Sequence, residues 1–131
     1  MIDWEPLIAA AVAARARSYS PHSRFAVGAA LLMEDGSIVA GCNVENRSYG
    51  LAICAERNAM AAAVARGLRR PQAAVVVTPT TPPSAPCGMC RETLREFTAD
   101  LPILLVNPQG ERVTWRLADL LPYPFELPAE R

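Results

Sequence analysis

The segment 73–106, AAVVVTPTTPPSAPCGMCRETLREFTADLPILLV, decides how the chain folds. Ala73 to Thr78 is a short uncharged run rich in valine, the composition of a buried strand. Pro102 to Val106 has the same character. Between them a proline-rich loop, Pro79 to Pro86, leads into a helix over Gly88 to Phe97. A strand, a crossover helix and a second strand make a parallel pair with the helix packed on one face of the sheet.

Upstream, Ile53 to Arg66 is an alanine-rich helical run stopped by Gly67 at the position after the C-cap, and Asn43 to Leu51 is polar and irregular. Phe25 to Met33 reads as a strand, Glu34-Asp35-Gly36 as a turn, and Ser37 to Cys42 as the returning strand, so the sheet begins antiparallel. Asp3 caps a first helix in which Trp4, Leu7, Ile8 and Val12 recur at helical spacing, ending before Ser20-Pro21. Downstream, Asn107 to Gly110 is a turn, Glu111 to Trp115 a short edge strand and Leu117 to Leu121 a brief helix before a proline-broken tail. The expected architecture is a three-layer α/β/α fold with a mixed, roughly five-stranded sheet, one domain over residues 1–131.

Composition narrows the function classes. The 13 basic residues, all arginine, balance 13 acidic ones, and Arg69-Arg70 is the only adjacent basic pair, which excludes an electrostatic footprint for a nucleic acid polymer. A small neutral or weakly charged substrate is expected. No basic segment leads into an apolar core with a cleavage site, and no apolar run reaches the ~18 residues of a membrane span, so a cytoplasmic protein is expected. In that compartment four cysteines point to metal or catalytic chemistry rather than disulfides.

Cys54-Ala55-Glu56 and Pro86-Cys87-Gly88-Met89-Cys90 supply three soft ligands and one acid/base. Cys87 and Cys90, three apart at a helix start, converge on one side, and Cys54 begins another helix. Two helix N-termini would stabilise thiolates around one ion. Glu56 lies roughly 200° around a helix from Cys54, poorly placed as a ligand and better placed to carry protons. Arg57, three residues after Cys54, is placed to hydrogen-bond the thiolates. A Cys-x-x-Cys alone more often marks a structural zinc half-site or a redox pair; Cys54 and Glu56 shift the reading to catalysis. A structural zinc module would need Cys42 as fourth ligand, although Cys42 is most simply a buried small hydrophobe, and His22 reads as a surface residue.

These motifs, with Ser20-Pro21-His22-Ser23-Arg24-Phe25, Val27-Gly28-Ala29, Gly41 to Asn46, Ser48-Tyr49-Gly50, Arg91 after Cys90, and the tail Leu120 to Phe125, resemble the small homotetrameric zinc cytidine deaminases of pyrimidine nucleoside salvage. The resemblance covers nearly the whole chain. It implies one zinc per chain on Cys54, Cys87 and Cys90, with Glu56 carrying protons to N3 and then to the departing 4-amino group. It further implies that Asn43 and Glu45 hydrogen-bond the ribose, that the Ala55 N–H meets the pyrimidine O2, and that Phe25 packs on the ring. Tyr49 and Phe125 resemble residues that complete a neighbouring subunit's pocket in a homotetramer. The implied reaction is hydrolysis of cytidine and 2′-deoxycytidine to uridine and 2′-deoxyuridine with ammonia. A deaminase of a modified or blasticidin-type cytosine nucleoside is the near alternative. One departure stands out: Glu92 replaces the family's usual Gln, and it is expected to approach Arg57 and compete with the thiolates for its charge.

Overall fold

The computed structural model describes residues 1–128. In chain order these form helix α1 (Trp4–Arg15), strands β1 (Gly28–Met33) and β2 (Ile38–Cys42), a 3₁₀ turn (Tyr49–Leu51), helix α2 (Ala55–Ala65), strand β3 (Pro71–Val77), helix α3 (Gly88–Phe97), strands β4 (Pro102–Val106) and β5 (Arg112–Arg116), and helix α4 (Leu117–Leu120). The sheet runs β2-β1-β3-β4-β5. β1 is antiparallel to both β2 and β3, β3 is parallel to β4, and β4 is antiparallel to β5. The expected crossover through α3 joins neighbouring strands; the one through α2 steps over β1, which lies between β2 and β3.

The alternation of side chains along each strand builds two cores. On one face Leu31 and Met33 of β1, Ala74 and Val76 of β3, and Ile103 and Leu105 of β4 pack with Ala59, Met60 and Ala63 of α2, Leu94 of α3 and Leu117 of α4. On the other, Ala30, Val75, Val77, Leu104 and Val106 meet Leu7 and Ala11 of α1. Helices thus cover both faces, which is why β3 and β4 read as continuous apolar runs. Each fully buried valine, leucine or isoleucine contributes about 1.5–3 kcal/mol. Exposed ion pairs such as Arg112–Glu5 at 3.0 Å contribute at most about 1 kcal/mol, so the two cores hold the fold.

Two boundaries differ from the sequence reading. α1 is capped by Asp3, which accepts from the Glu5 N–H at 3.3 Å, but it ends at Arg15 rather than running towards Ser20. Ser18 and Tyr19 turn away because their groups bond Asn43: the Ser18 hydroxyl meets Oδ1 at 2.5 Å and the Tyr19 N–H donates to the Asn43 carbonyl at 3.1 Å. β1 starts at Gly28, not Phe25, because the Asn43 side chain takes the preceding backbone groups. Its Nδ2 donates to the Phe25 carbonyl at 2.7 Å and its Oδ1 accepts from the Val27 N–H at 2.8 Å.

Gly41 sets where α2 lies. A Cβ there would stand 2.5 Å from the Ala59 nitrogen and 2.7 Å from the Ala55 carbonyl oxygen, both backbone atoms of α2. The absent side chain lets the helix rest directly on β2, and Asn58 fastens it by donating to the Cys42 carbonyl at 2.8 Å. Gly41→Ala must push the first turns of α2 outward, and overpacking of this kind costs about 1–3 kcal/mol. Thermal unfolding is expected to show a lowered Tm; an unchanged Tm would mean that the helix has room to spare.

Candidate active site

The strand topology brings the predicted residues to one end of the sheet, where β2 and β3 finish and β1 begins. Cys54 is the N-cap of α2 and Cys87 the N-cap of α3, each in extended conformation with no side-chain capping bond. Cys90 follows in the first turn of α3 and is fully buried. The Cys54 and Cys87 sulfurs are 3.6 Å apart, those of Cys87 and Cys90 3.5 Å, and all three lie within 4.8 Å of one another. Two helix N-termini therefore face one cluster of sulfurs and favour negative charge there. Hydrogen bonding from Cys90, opposed by burial and helped by Cys87 and Arg57, pulls the Cys54 thiol down to about 5. Its hydrogen bond to Cys54, together with burial, pushes Cys90 up.

Glu56 is 5 % exposed and faces a cleft of about 190 Å³ that also reaches Phe25, Asn43, Cys54, Ala55, Thr78 and Cys87. Burial first, and the charge of Cys54 after it, raises its carboxyl above the ordinary range. Arg57 lies beside Cys54, donates from Nη2 to the Ala52 carbonyl at 3.1 Å, and has a buried Nε with no hydrogen-bond partner.

The cleft wall is built by side chains bonded to backbone. Asn43 spends Oδ1 and one amide hydrogen on the segment around Phe25 to Val27. Glu45 grips the same loop further out, accepting from the N–H groups of His22 at 2.9 Å and Ser23 at 3.1 Å and from the Ser23 hydroxyl. The Ser23 bonds hold its carboxyl below the usual range. Arg24, in the left-handed region at φ 58°, turns the chain so that Phe25 enters the cleft. Tyr49 stands at a neighbouring pocket with His22 and Glu45, its ring edge-on to His22 at 6.1 Å. Tyr49 and Phe125 are 79 % and 72 % exposed.

Two expectations are corrected. Glu92 does not approach Arg57: its carboxylate accepts from the Phe125 N–H at 3.3 Å, over the outer side of α3. Two residues after Cys90, Glu92 lies on the side of α3 where the tail packs, beside Arg95, Glu96 and Phe125. Cys42 is half-buried rather than buried, lining a groove with Ala10, Ala14 and Arg17 apart from the other three thiols.

Residues 1–105 match the family described as the cytidine and deoxycytidylate deaminase zinc-binding region. The chain belongs to that family. Among its relatives, a protein of Sporosarcina psychrophila named cytidine deaminase is 46 % identical over 125 residues, 95 % of this chain and 92 % of its own. A cytidine deaminase of Mycobacterium tuberculosis is 44 % identical over 133 residues, 99 % and 97 % of the two chains. The crystal structure of cytidine deaminase from Burkholderia pseudomallei superposes with a TM-score of 0.90 at 46 % identity, covering 95 % of this chain and all of that one.

The cysteine set fits the zinc of this deaminase family. A tetrahedral ion with Zn–S of about 2.3 Å spans sulfurs about 3.8 Å apart, close to the two separations observed. The orphaned Nε of Arg57 beside Cys54 offers a donor to a thiolate-rich centre. Among the described residues the sulfur cluster has three members, the ligand number of a catalytic deaminase site rather than of a closed structural one. Zinc uptake at pH 7 is therefore expected to release protons. Cys54, at about 5, is already ionised and contributes none, whereas Cys90 binds its proton until the metal displaces it. A pH indicator in weakly buffered solution should record at least about one proton per ion; no release would contradict this charge assignment.

The groups that hold the metal loop carry no sequence signature. Thr78, Thr80 and Ser84 hydrogen-bond across residues 78–84, the Ser84 N–H to Thr78 Oγ1 at 2.8 Å, and buried Asn107 donates to the Thr80 carbonyl at 3.0 Å. Nothing in their spacing marks them. Arg91 was legible only as part of the Cys-x-x-Cys-Arg motif.

Proposed function

We propose that this deaminase family member hydrolyses cytidine and 2′-deoxycytidine to the uridines and ammonia, with zinc held by Cys54, Cys87 and Cys90. The observation that carries the reading is the cluster of three convergent sulfurs, two of which, those of Cys54 and Cys87, line one small cleft with a buried Glu56. Zinc held there supplies Lewis acidity at neutral pH.

The remaining chemistry belongs to the chain. As the oxygen of a water bonds C4 of the pyrimidine, Glu56 takes the water's first proton and delivers it to N3; it then carries the second proton to the 4-amino group, which leaves C4 as ammonia. The raised pKa that burial gives its carboxyl suits both transfers near neutrality. The ring packs on Phe25, and the first N–H of α2, that of Ala55, meets O2. The antiparallel bridge Val44–Ile53 sets Asn43 across from Cys54 and Glu45 across from Ala52. Glu45 thus follows Asn43 by two residues of extended chain, about 6–7 Å, the scale of one ribose. The remaining amide hydrogen of Asn43 and the remaining lone pair of the Glu45 carboxylate are the groups for the ribose hydroxyls. Arg57 acts through Cys54, tempering the thiolate charge.

The exposed rings of Tyr49 and Phe125, with Leu51, Ile53 and Met89 also exposed, supply the apolar surface through which neighbouring subunits would complete one another's pockets in a homotetramer. No helix among the described residues is long and apolar enough to cross a membrane.

The test is an ultraviolet deamination assay of metal-quantified protein against a panel of cytosine nucleosides. Cytidine and deoxycytidine should both be consumed with stoichiometric ammonia. Turnover confined to a modified or antibiotic nucleoside would overturn the substrate assignment. Zinc-replete protein that is inert towards the whole panel would overturn the enzymatic one.

A further inference from the structure

Arg91 grips the backbone on both sides of one cysteine. Its main-chain N–H donates to the Cys87 carbonyl at 3.0 Å, closing the first turn of α3, while its Nε donates to the Pro86 carbonyl, one residue earlier, at 2.7 Å. Cys87 is thereby fixed by one residue, which matters because an N-cap without a side-chain capping bond has little else to set its backbone. The same guanidinium reaches further: Nη1 donates to the carbonyl of Leu120, the last residue of α4, at 2.8 Å. From there the tail runs back along α3, with the Phe125 N–H on Glu92 and Glu126 paired to Arg95 at 3.3 Å. The helix whose first turn carries two sulfurs therefore carries the tail on its outer side, and Arg91 is the side chain bonded to both.

We propose that Arg91 is a positioning residue that couples the metal loop to the C-terminal tail, so that zinc binding and tail docking stabilise each other. The proposal takes Cys54, Cys87 and Cys90 as zinc ligands. Its reciprocity is thermodynamic: if an ordered tail holds Leu120 and Arg91 in place and so favours the metal-binding arrangement of Cys87, then zinc must favour the ordered tail by the same factor. A guanidinium suits the task because its planar fork satisfies two carbonyls at once, whereas an ammonium on a flexible stem engages one well.

Two measurements decide it. The first is zinc affinity at fixed pH by competition with a chromophoric chelator, for the full chain and for Arg91→Ala and Arg91→Lys. Loss of a group that orients a ligand typically weakens metal binding 10- to 100-fold, so about tenfold is expected for Arg91→Ala and a smaller loss for Arg91→Lys. A purely structural role would lower Tm and leave zinc affinity alone. The second is hydrogen exchange of the Phe125 amide in the unsubstituted protein, expected to quicken when zinc is stripped. Unaltered affinity in Arg91→Ala, or Phe125 exchange indifferent to zinc, overturns the coupling. If Arg91→Ala does not fold, Arg91→Lys and the exchange measurement decide. A wild-type chain that takes up no zinc defeats the metal assignment itself; normal uptake with unaltered affinity in the variants defeats only this inference.

Discussion

Glu56→Gln is expected to lower the rate of cytidine deamination by at least about 10²-fold while zinc content and fold are retained. The side chains lining the cleft include Phe25, Val27, Asn43, Thr78 and Ser84 beside the sulfurs, and Glu56 is the single carboxyl among them, with no histidine. With Cys54 and Cys87 taken up as metal ligands, Glu56 is the one lining group among the described residues placed to take a proton from water and return it to N3 and the leaving nitrogen. The amide keeps the shape and the hydrogen-bonding capacity of the side chain but cannot be protonated and deprotonated near neutrality. It also removes a carboxyl whose charged form is penalised by burial, so Tm should not fall. A loss in kcat at unchanged Tm and zinc content is the signature of a proton carrier. A rate within a few-fold of the parent would assign the proton to another group and overturn the mechanism.

Cys90→Ser should abolish both zinc binding and activity. Cys90 is fully buried in the first turn of α3, so neither solvent nor a neighbouring side chain can replace its sulfur. A serine hydroxyl stays protonated at neutral pH and is a poor soft-metal ligand. Zinc content is expected to fall from about one to below roughly 0.1 per chain after dialysis against a weak chelator. Cys42→Ser is the matched control: Cys42 lies in the groove between α1 and β2 and its loss should change neither quantity. Full zinc retention in Cys90→Ser would show that the metal is held elsewhere.

What the sequence revealed and concealed follows one physical division. The spans of α3 and β4 match their reading to the residue, because Gly88 and Pro102 punctuate the chain locally and the apolar periods change between them. The two helix-terminal cysteines were legible for the same reason, as was the mixed five-stranded sheet, now matched by solved deaminases. The start of β1 was not: Phe25 to Val27 have strand composition, and only the approach of Asn43, 16 residues beyond Val27, diverts their backbone groups. The place of Glu92 is not legible either, because its partner is the Phe125 N–H, 33 residues away on a tail whose return along α3 no local signal marks. Arg91 and Asn107 went without a role because they bond to carbonyls, and a carbonyl has no sequence signature.

Zinc-edge X-ray absorption on the metal-loaded protein probes the central claim most directly, because it counts sulfurs around the ion without reference to activity. Three sulfur scatterers at about 2.3 Å are predicted. Four sulfurs would enrol Cys42 and make the site a closed structural one, and fewer than three would break the Cys54, Cys87 and Cys90 set on which the whole account stands.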